Sequence, residues 1–356
     1  MATPKFANVP HSFHSELKRR ISEYFQQVGK SQTGNSTLFS KAVILGVGFL
    51  AVYIHLVFFT PNIYFQILES VLLGGFVAAI GFNVMHDGAH GSFSKYKWVN
   101  TFASFSLNIL GGSSFMWNVK HNVIHHAYTN VDGVDDDIDI QPWMRMSSTQ
   151  KKYKLHKYQH IYFWFLYSLL YILWIFVLDY QKYFKSKIGS MPLKKMKLSD
   201  HVVFWSFKVL NLFLFIGLPI YTMGFGSWLL SFLIFTIVAG LVLSLVFQLA
   251  HTVEHTAFPV PDQATGKLED EWAVHQIKTT ANFATNNKIV CWLVGGLNFQ
   301  IEHHLFPKIS HVHYPAISKI IRKTCQEYGI NYIEYPRVRY AVASHVAFLK
   351  QMGSAA

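Results

Sequence analysis

Charge is scarce in this sequence. Asp, Glu, Lys and Arg make up only 14% of the 356 residues, where a soluble domain carries about a quarter. With 51% hydrophobic residues and a mean hydropathy of +0.23, that shortage excludes an ordinary soluble domain and points to a membrane protein. Cysteine is nearly absent. Cys291 and Cys325 form at most one bridge, which excludes a disulfide scaffold. Acidic residues are the scarcer sign, 19 against 31 Lys and Arg, for a net charge of +12. The basic excess lies between apolar runs, so it reads as cytoplasmic loop charge and not as a nucleic-acid surface. No secretory signal peptide opens the chain, because the first 41 residues are polar and basic. What the sequence has in excess is histidine, with 19 residues.

Apolar runs fall at 42–60, 64–85, 161–178, 203–222 and 227–249, each near the roughly 20 residues that cross a bilayer. A weaker run at 99–117 is broken by Asn100, Asn108 and two glycines. Lys5, Lys18, Arg19, Arg20, Lys30 and Lys41 hold the N-terminal segment in the cytoplasm. Runs 42–60 and 64–85 then form one hairpin, turning outside at the uncharged TPN (60–62). Six lysines between 179 and 200 would lie outside if 161–178 crossed, so that aromatic-rich run is expected to lie in the interface. Lys208, inside 203–222, keeps the reverse assignment open. The expected fold is all-α, with four transmembrane helices in two hairpins and both termini cytoplasmic. Phe13, Leu17, Ile21, Phe25 and Val28 recur at helical spacing. They predict an amphipathic helix over 12–28, lying on the membrane surface or packed on the core.

This topology puts four histidine groups on one membrane face. His86 and His90 are four apart, one helical turn on one face. His121, His125 and His126 add a third imidazole about 100° around an α-helix, so one helix can serve two ions. Gln300, His303 and His304 repeat the pattern, and His251 and His255 end the last span. His156 and His160 stand alone and read as surface or headgroup contacts. Imidazole in this number, with no cysteine nearby, suits a dinuclear iron centre better than a closed structural zinc site. Asp87 and Glu302, inside the boxes, either orient metal-bound imidazoles or face solvent. The acids of DGVDDDID (132–139) read as a loop bonding to histidines or capping a helix. Trp117 lines a substrate channel or anchors in the interface, the second being the commoner role.

The order HxxxH, HxxxHH, QxxHH, with HDGAHGSFS, HHAYTNVDGVDDDI, FQLAH and LNFQIEHHLFP, resembles the integral-membrane fatty acid desaturases of the front-end type. The likeness spans roughly 60–335. Glutamine at the head of the last box is itself a mark of that subgroup. The resemblance implies a cytoplasmic helical cap holding two irons on His86, His90, His121, His125, His126, His303, His304 and Gln300. It also implies a ligand just after the last span, matched by His251 in preference to His255, which then supports the site or stays on the surface. By the same resemblance, the domain covers 42–335, between a cytoplasmic segment 1–41 and a tail 336–356. Many relatives carry a fused cytochrome b5 domain with an HPGG motif, and none occurs here. A separate ferredoxin or cytochrome b5 is therefore expected to supply electrons. The implied reaction uses O2 to place a cis double bond between an existing one and the carboxyl end of an acyl-CoA or acyl-lipid chain. The bond position stays open, as does the rival of a related membrane di-iron hydroxylase or sphingolipid desaturase.

Overall fold

The computed structural model describes residues 4–7, 12–59 and 62–355. Four unbroken helices are long and apolar enough to cross a membrane: Ser36–Phe59, Ile63–His90, Leu198–Met223 and Phe225–His251. They match the four expected crossings. Thr60 and Pro61 of the expected outer turn lie outside the described residues. Asn62, which follows them, caps the second span by accepting from the amides of Tyr64 (3.1 Å) and Phe65 (3.3 Å).

The second and fourth spans are the inner pair, 56% and 50% buried against 28% for each of the others. They cross closely at Gly74, where a Cβ would come within 2.6 Å of the Phe235 carbonyl. Small residues at such crossings let helices approach where no water drives them together. Gln66 ties the same pair by donating to Ser227 O (2.7 Å) and Ser231 Oγ (2.9 Å). The outward face of the first span, including Val43, Ile44, Val47, Leu50 and Ile54, is exposed, as a lipid-facing surface must be.

The 161–178 run lies in a helix pair, Lys154–Ser168 and Leu170–Lys185, bent by 57° at a break. It packs against the fourth span instead of standing as a straight crossing. Lys208 does not break the third span, because Asp179 and two backbone carbonyls take up its charge. His156 is fully buried, with its ring bonded to the Pro142 carbonyl at 2.8 Å. It is a structural residue and not the surface contact its spacing suggested.

Both terminal segments are more tightly built in than their composition implied. The helix Phe13–Val28, capped by Ser12, buries Phe13, Leu17, Ile21 and Phe25 against Ile277, Ile301, Ile317 and Ile321. Fully burying such side chains contributes about 1.5–3 kcal/mol each. Four of the five stripe residues are thus spent on the protein, and Val28 at the helix end stays exposed. Residues expected to form a tail contain the helix Val338–Ser354, whose Phe348 and Leu349 pack on Phe163 and Tyr167. Two short strand pairs are the only β-structure among the described residues, apart from one isolated bridge.

Candidate metal centre

The second and fourth spans end at the same end of the bundle, and each delivers histidines there. A π-helical turn, Gly81–Met85, precedes the α-helical turn His86–His90, and Gly91 closes it with a left-handed φ of 74°. The imidazoles of His86 and His90 lie 4.7 Å apart, ring to ring. His251 is the last residue of the fourth span.

The second box differs from its expected shape. Asn118–His125 is a π-helix, and the His126 amide bonds back to the His121 carbonyl. Wider turns of this kind often mark functional sites. In an α-helix His126 would swing away from His121. Here their Nε2 atoms are 3.2 Å apart, while His121 and His125 stack at 5.3 Å. The third box is a short helix, Gln300–Leu305, buried along its whole length.

The imidazoles gather into two foci. His86, His90, His121 and His303 bring ligand atoms within 4.8 Å of one another, and so do His125, His251 and His304. His126 joins His303 and His304 in a third such set between them. His121 and His125 thus fall in different foci, although their spacing of four put them on one face of an α-helix with His126 as the one turned away; with Asp137 they also form a fourth set. Gln300 stands beside the second focus, with its Nε2 3.1 Å from His251 Nε2.

The far side of several rings is held in place. His125 Nδ1 meets Asp135 at 3.1 Å and Asp137 at 3.2 Å. His251 Nδ1 bonds to the Thr279 carbonyl (3.2 Å), and His303 Nδ1 to the Tyr314 hydroxyl (3.1 Å). His304 Nδ1 donates to Gln276 Oε1 at 2.8 Å. Such partners fix the ring and its tautomer. Asp135 fulfils the expectation that acids of the 132–139 loop bond to histidines. The sequence did not single out Gln276, Thr279 or Tyr314.

The residues fit a metal pair. His90 Nε2, His126 Nδ1, His303 Nε2, His304 Nε2 and Gln300 Oε1 are buried with no hydrogen-bond partner. Orphaned polar atoms are costly in a protein interior, and ligation would satisfy them. Burial holds His121, His126, His303 and His304 well below the ordinary histidine pKa, and neighbouring imidazoles push the same way. They are therefore neutral, the form that binds metal. His125 goes the other way. Burial disfavours its cation, but the Asp135 carboxylate more than offsets that and raises the pKa.

The supporting residues named from sequence fare differently. Asp87 is buried, yet it accepts from Ser310 Oγ (2.7 Å) and bonds to His311 Nδ1 (3.0 Å). It clamps the first box to the loop after the third and makes no hydrogen bond to a box imidazole. Glu302 is also buried and accepts from Asn282 (2.7 Å) and Tyr332 (2.7 Å), with burial lifting its pKa to about 7. It anchors the third box and orients no ligand ring. His255 is exposed in a left-handed conformation, φ 74°, and joins neither focus. Trp117 is buried and stacks on His121 at 4.3 Å, with its edge to His86 and His90. It forms a wall of the site and is not an interface anchor.

Residues 61–336 match the family model for fatty acid desaturases. The chain belongs to the fatty acid desaturase family. It is 35% identical to an sn-1 linoleoyl-lipid 6-desaturase of Arthrospira platensis, over 96% of this chain and 92% of that one. A desaturase of the same description from Synechocystis sp. is 36% identical, covering 96% of each. An acyl-lipid (8-3)-desaturase of Physcomitrium patens is 35% identical over 99% of this chain but only 74% of its own length. These relatives are front-end desaturases, as the glutamine-headed box indicated. The desaturase is an oxidoreductase acting on fatty acyl chains.

Proposed function

We propose that this desaturase acts on an acyl chain esterified in a membrane lipid. It inserts a cis double bond between an existing one and the carboxyl end. The named activities of the cyanobacterial and moss relatives support the lipid-borne substrate. The observation that carries the reading is an apolar cavity bordered by His86, with a second cavity of mixed lining bordered by His121, one residue from each of the first two boxes. An unactivated methylene is thereby led to the metal-binding face.

His86, His90, His121 and His303 would hold one iron. His125, His251 and His304 would hold the other, with Gln300 beside them and His126 between. When bound, the iron pair supplies the O2 chemistry that removes hydrogen from adjacent methylenes, beyond the reach of side-chain acid–base catalysis. In the balance, O2 takes up the two hydrogens of the chain with two electrons and two protons from outside, giving two waters. The chain's own residues do the rest. Trp117 and the apolar walls keep water from the site. Asp135, Gln276, Thr279 and Tyr314 hold the imidazoles in register.

The boxes and both termini lie in the cytoplasm in this reading, as the basic loops direct. An acidic ferredoxin or cytochrome b5 docks on that basic face to deliver electrons. Raised salt then slows turnover with a reduced donor, and salt-insensitive turnover would sink the electrostatic part. The decisive experiment expresses the protein in a host of defined fatty acid pool and locates double bonds by mass spectrometry. The expected product is lighter by two hydrogens. A product heavier by one oxygen would make the enzyme a hydroxylase instead.

A further inference from the structure

Two chambers approach the histidines, and two aromatic side chains border both. The inner chamber, about 20 Å³, is walled by Val77, Leu107, Leu110, Tyr171 and Leu243 and reaches His86. The outer one, about 70 Å³, has a mixed wall that includes Met116, Leu170 and Leu178 beside Lys120, Asp137, Asp179 and Lys182, and it reaches His121. Trp174 and Phe247 border both. Both chambers are narrow, so the side chains at their junction decide how far an acyl chain advances.

Trp174 is held in a way Phe247 is not. It opens the π-helical turn Trp174–Leu178 of the bent helix pair. Its indole N–H donates to Asp179 Oδ1 at 3.1 Å. The other Asp179 oxygen accepts from Lys208 Nζ at 3.0 Å. Lys208 reaches in from the third span and also donates to the carbonyls of Gly111 (2.6 Å) and Ile175 (3.0 Å). Asp179 and Lys208 are 1% and 5% exposed. A buried ion pair contributes little net stability, since desolvation offsets the attraction. Its value here is directional. It ties the broken helix, the third span and the 111 loop together, and it aims one N–H.

We propose that Trp174, fixed by the Asp179–Lys208 pair, is the stop at the junction of the acyl channel and sets which adjacent carbons lie beside His86 and His121. The proposal rests on the desaturase reading and adds its specificity. Trp174 selects the position, Lys208 acts through it as a positioning residue, and Asp179 both holds the indole and borders the outer chamber.

The test compares wild type, Trp174→Phe, Trp174→Ala and the paired variant Asp179→Asn/Lys208→Met. The paired variant avoids leaving one buried charge alone. Double-bond position and accepted chain length are measured in the host lipids, normalised to desaturase content of the membrane. Trp174→Ala should raise the fraction of double bonds at a second position by roughly 10-fold or more, the scale on which one methylene discriminates. Trp174→Phe, which keeps the ring but lacks the donor, should shift in the same direction by less, together with the paired variant. An unchanged positional ratio in Trp174→Ala, with only total product altered, would overturn the proposal.

A second readout needs no turnover. Acyl chains brominated at one chosen carbon are bound to the purified full-length protein, and tryptophan quenching is compared between wild type and Trp174→Phe. The difference should peak at one bromine position, and a flat difference would count against the stop. If wild type gave no desaturated product, the desaturase reading would fail, while the bromine profile would still judge Trp174.

Discussion

The two histidine foci are built on different principles. In the second, all three imidazoles are gripped from behind. Asp135 and Asp137 face His125, the Thr279 carbonyl meets His251, and Gln276 meets His304. In the first, the rings brace one another. His86 Nε2 lies 3.3 Å from His121 Nε2, Trp117 covers both, and among the described residues the one hydrogen bond to a non-histidine side chain runs from His303 to Tyr314. A carboxylate behind an imidazole makes it a stronger donor. The second focus is therefore the one held from outside, and the first leans on its own rings. The first focus is also the one that borders the inner apolar chamber.

Substitutions can break or sharpen that contrast. The largest effect is expected where the foci meet. His303→Ala should abolish desaturation and deplete metal from both, because His303 stands in two of the ligand sets. Full activity in that variant would sink the assignment. Asp135→Asn should come next, lowering metal affinity or turnover roughly 10- to 100-fold, as loss of such outer partners does. A metal titration should show the loss confined to the second focus. At Gln300 the substitutions separate two roles. Gln300→His should keep metal and part of the activity, while Gln300→Ala should lose most of it. Equal, full activity in both would make the glutamine dispensable. Tyr314→Phe should have the smallest effect, a several-fold loss, since it removes one neutral hydrogen bond worth about 1 kcal/mol. A loss as large as that of Asp135→Asn would mean that the two foci are not differently supported.

Much of this arrangement was legible in the sequence. The four spans follow from apolar runs, and the eight box residues expected to bind metal came from local motifs and the family resemblance they carry. His251 came from the same resemblance. What escaped was long-range. Tyr314 bonds to His303 across a loop, Gln276 reaches His304 from another helix, and Asp87 answers to His311, 224 residues away. No periodicity announces such pairs. The π-helical second box was also hidden, because its residues fit an α-helix equally well and tertiary packing decides between them. The Phe13–Val28 stripe shows the same limit. An apolar stripe signals a partner surface, but only the folded cap shows that the partner is protein. Trp117 was misjudged because tryptophan near a span end is common in the interface. The imidazoles it touches come from two different boxes.

The most direct test of the central claim is iron content per chain, measured by elemental mass spectrometry on purified wild type, His86→Ala and His251→Ala. The account predicts two ions in wild type, matching the two foci. It predicts one ion in His251→Ala, with the first focus still filled, and a complementary loss in His86→Ala. A wild-type protein without iron, or variants that keep both ions, would contradict it.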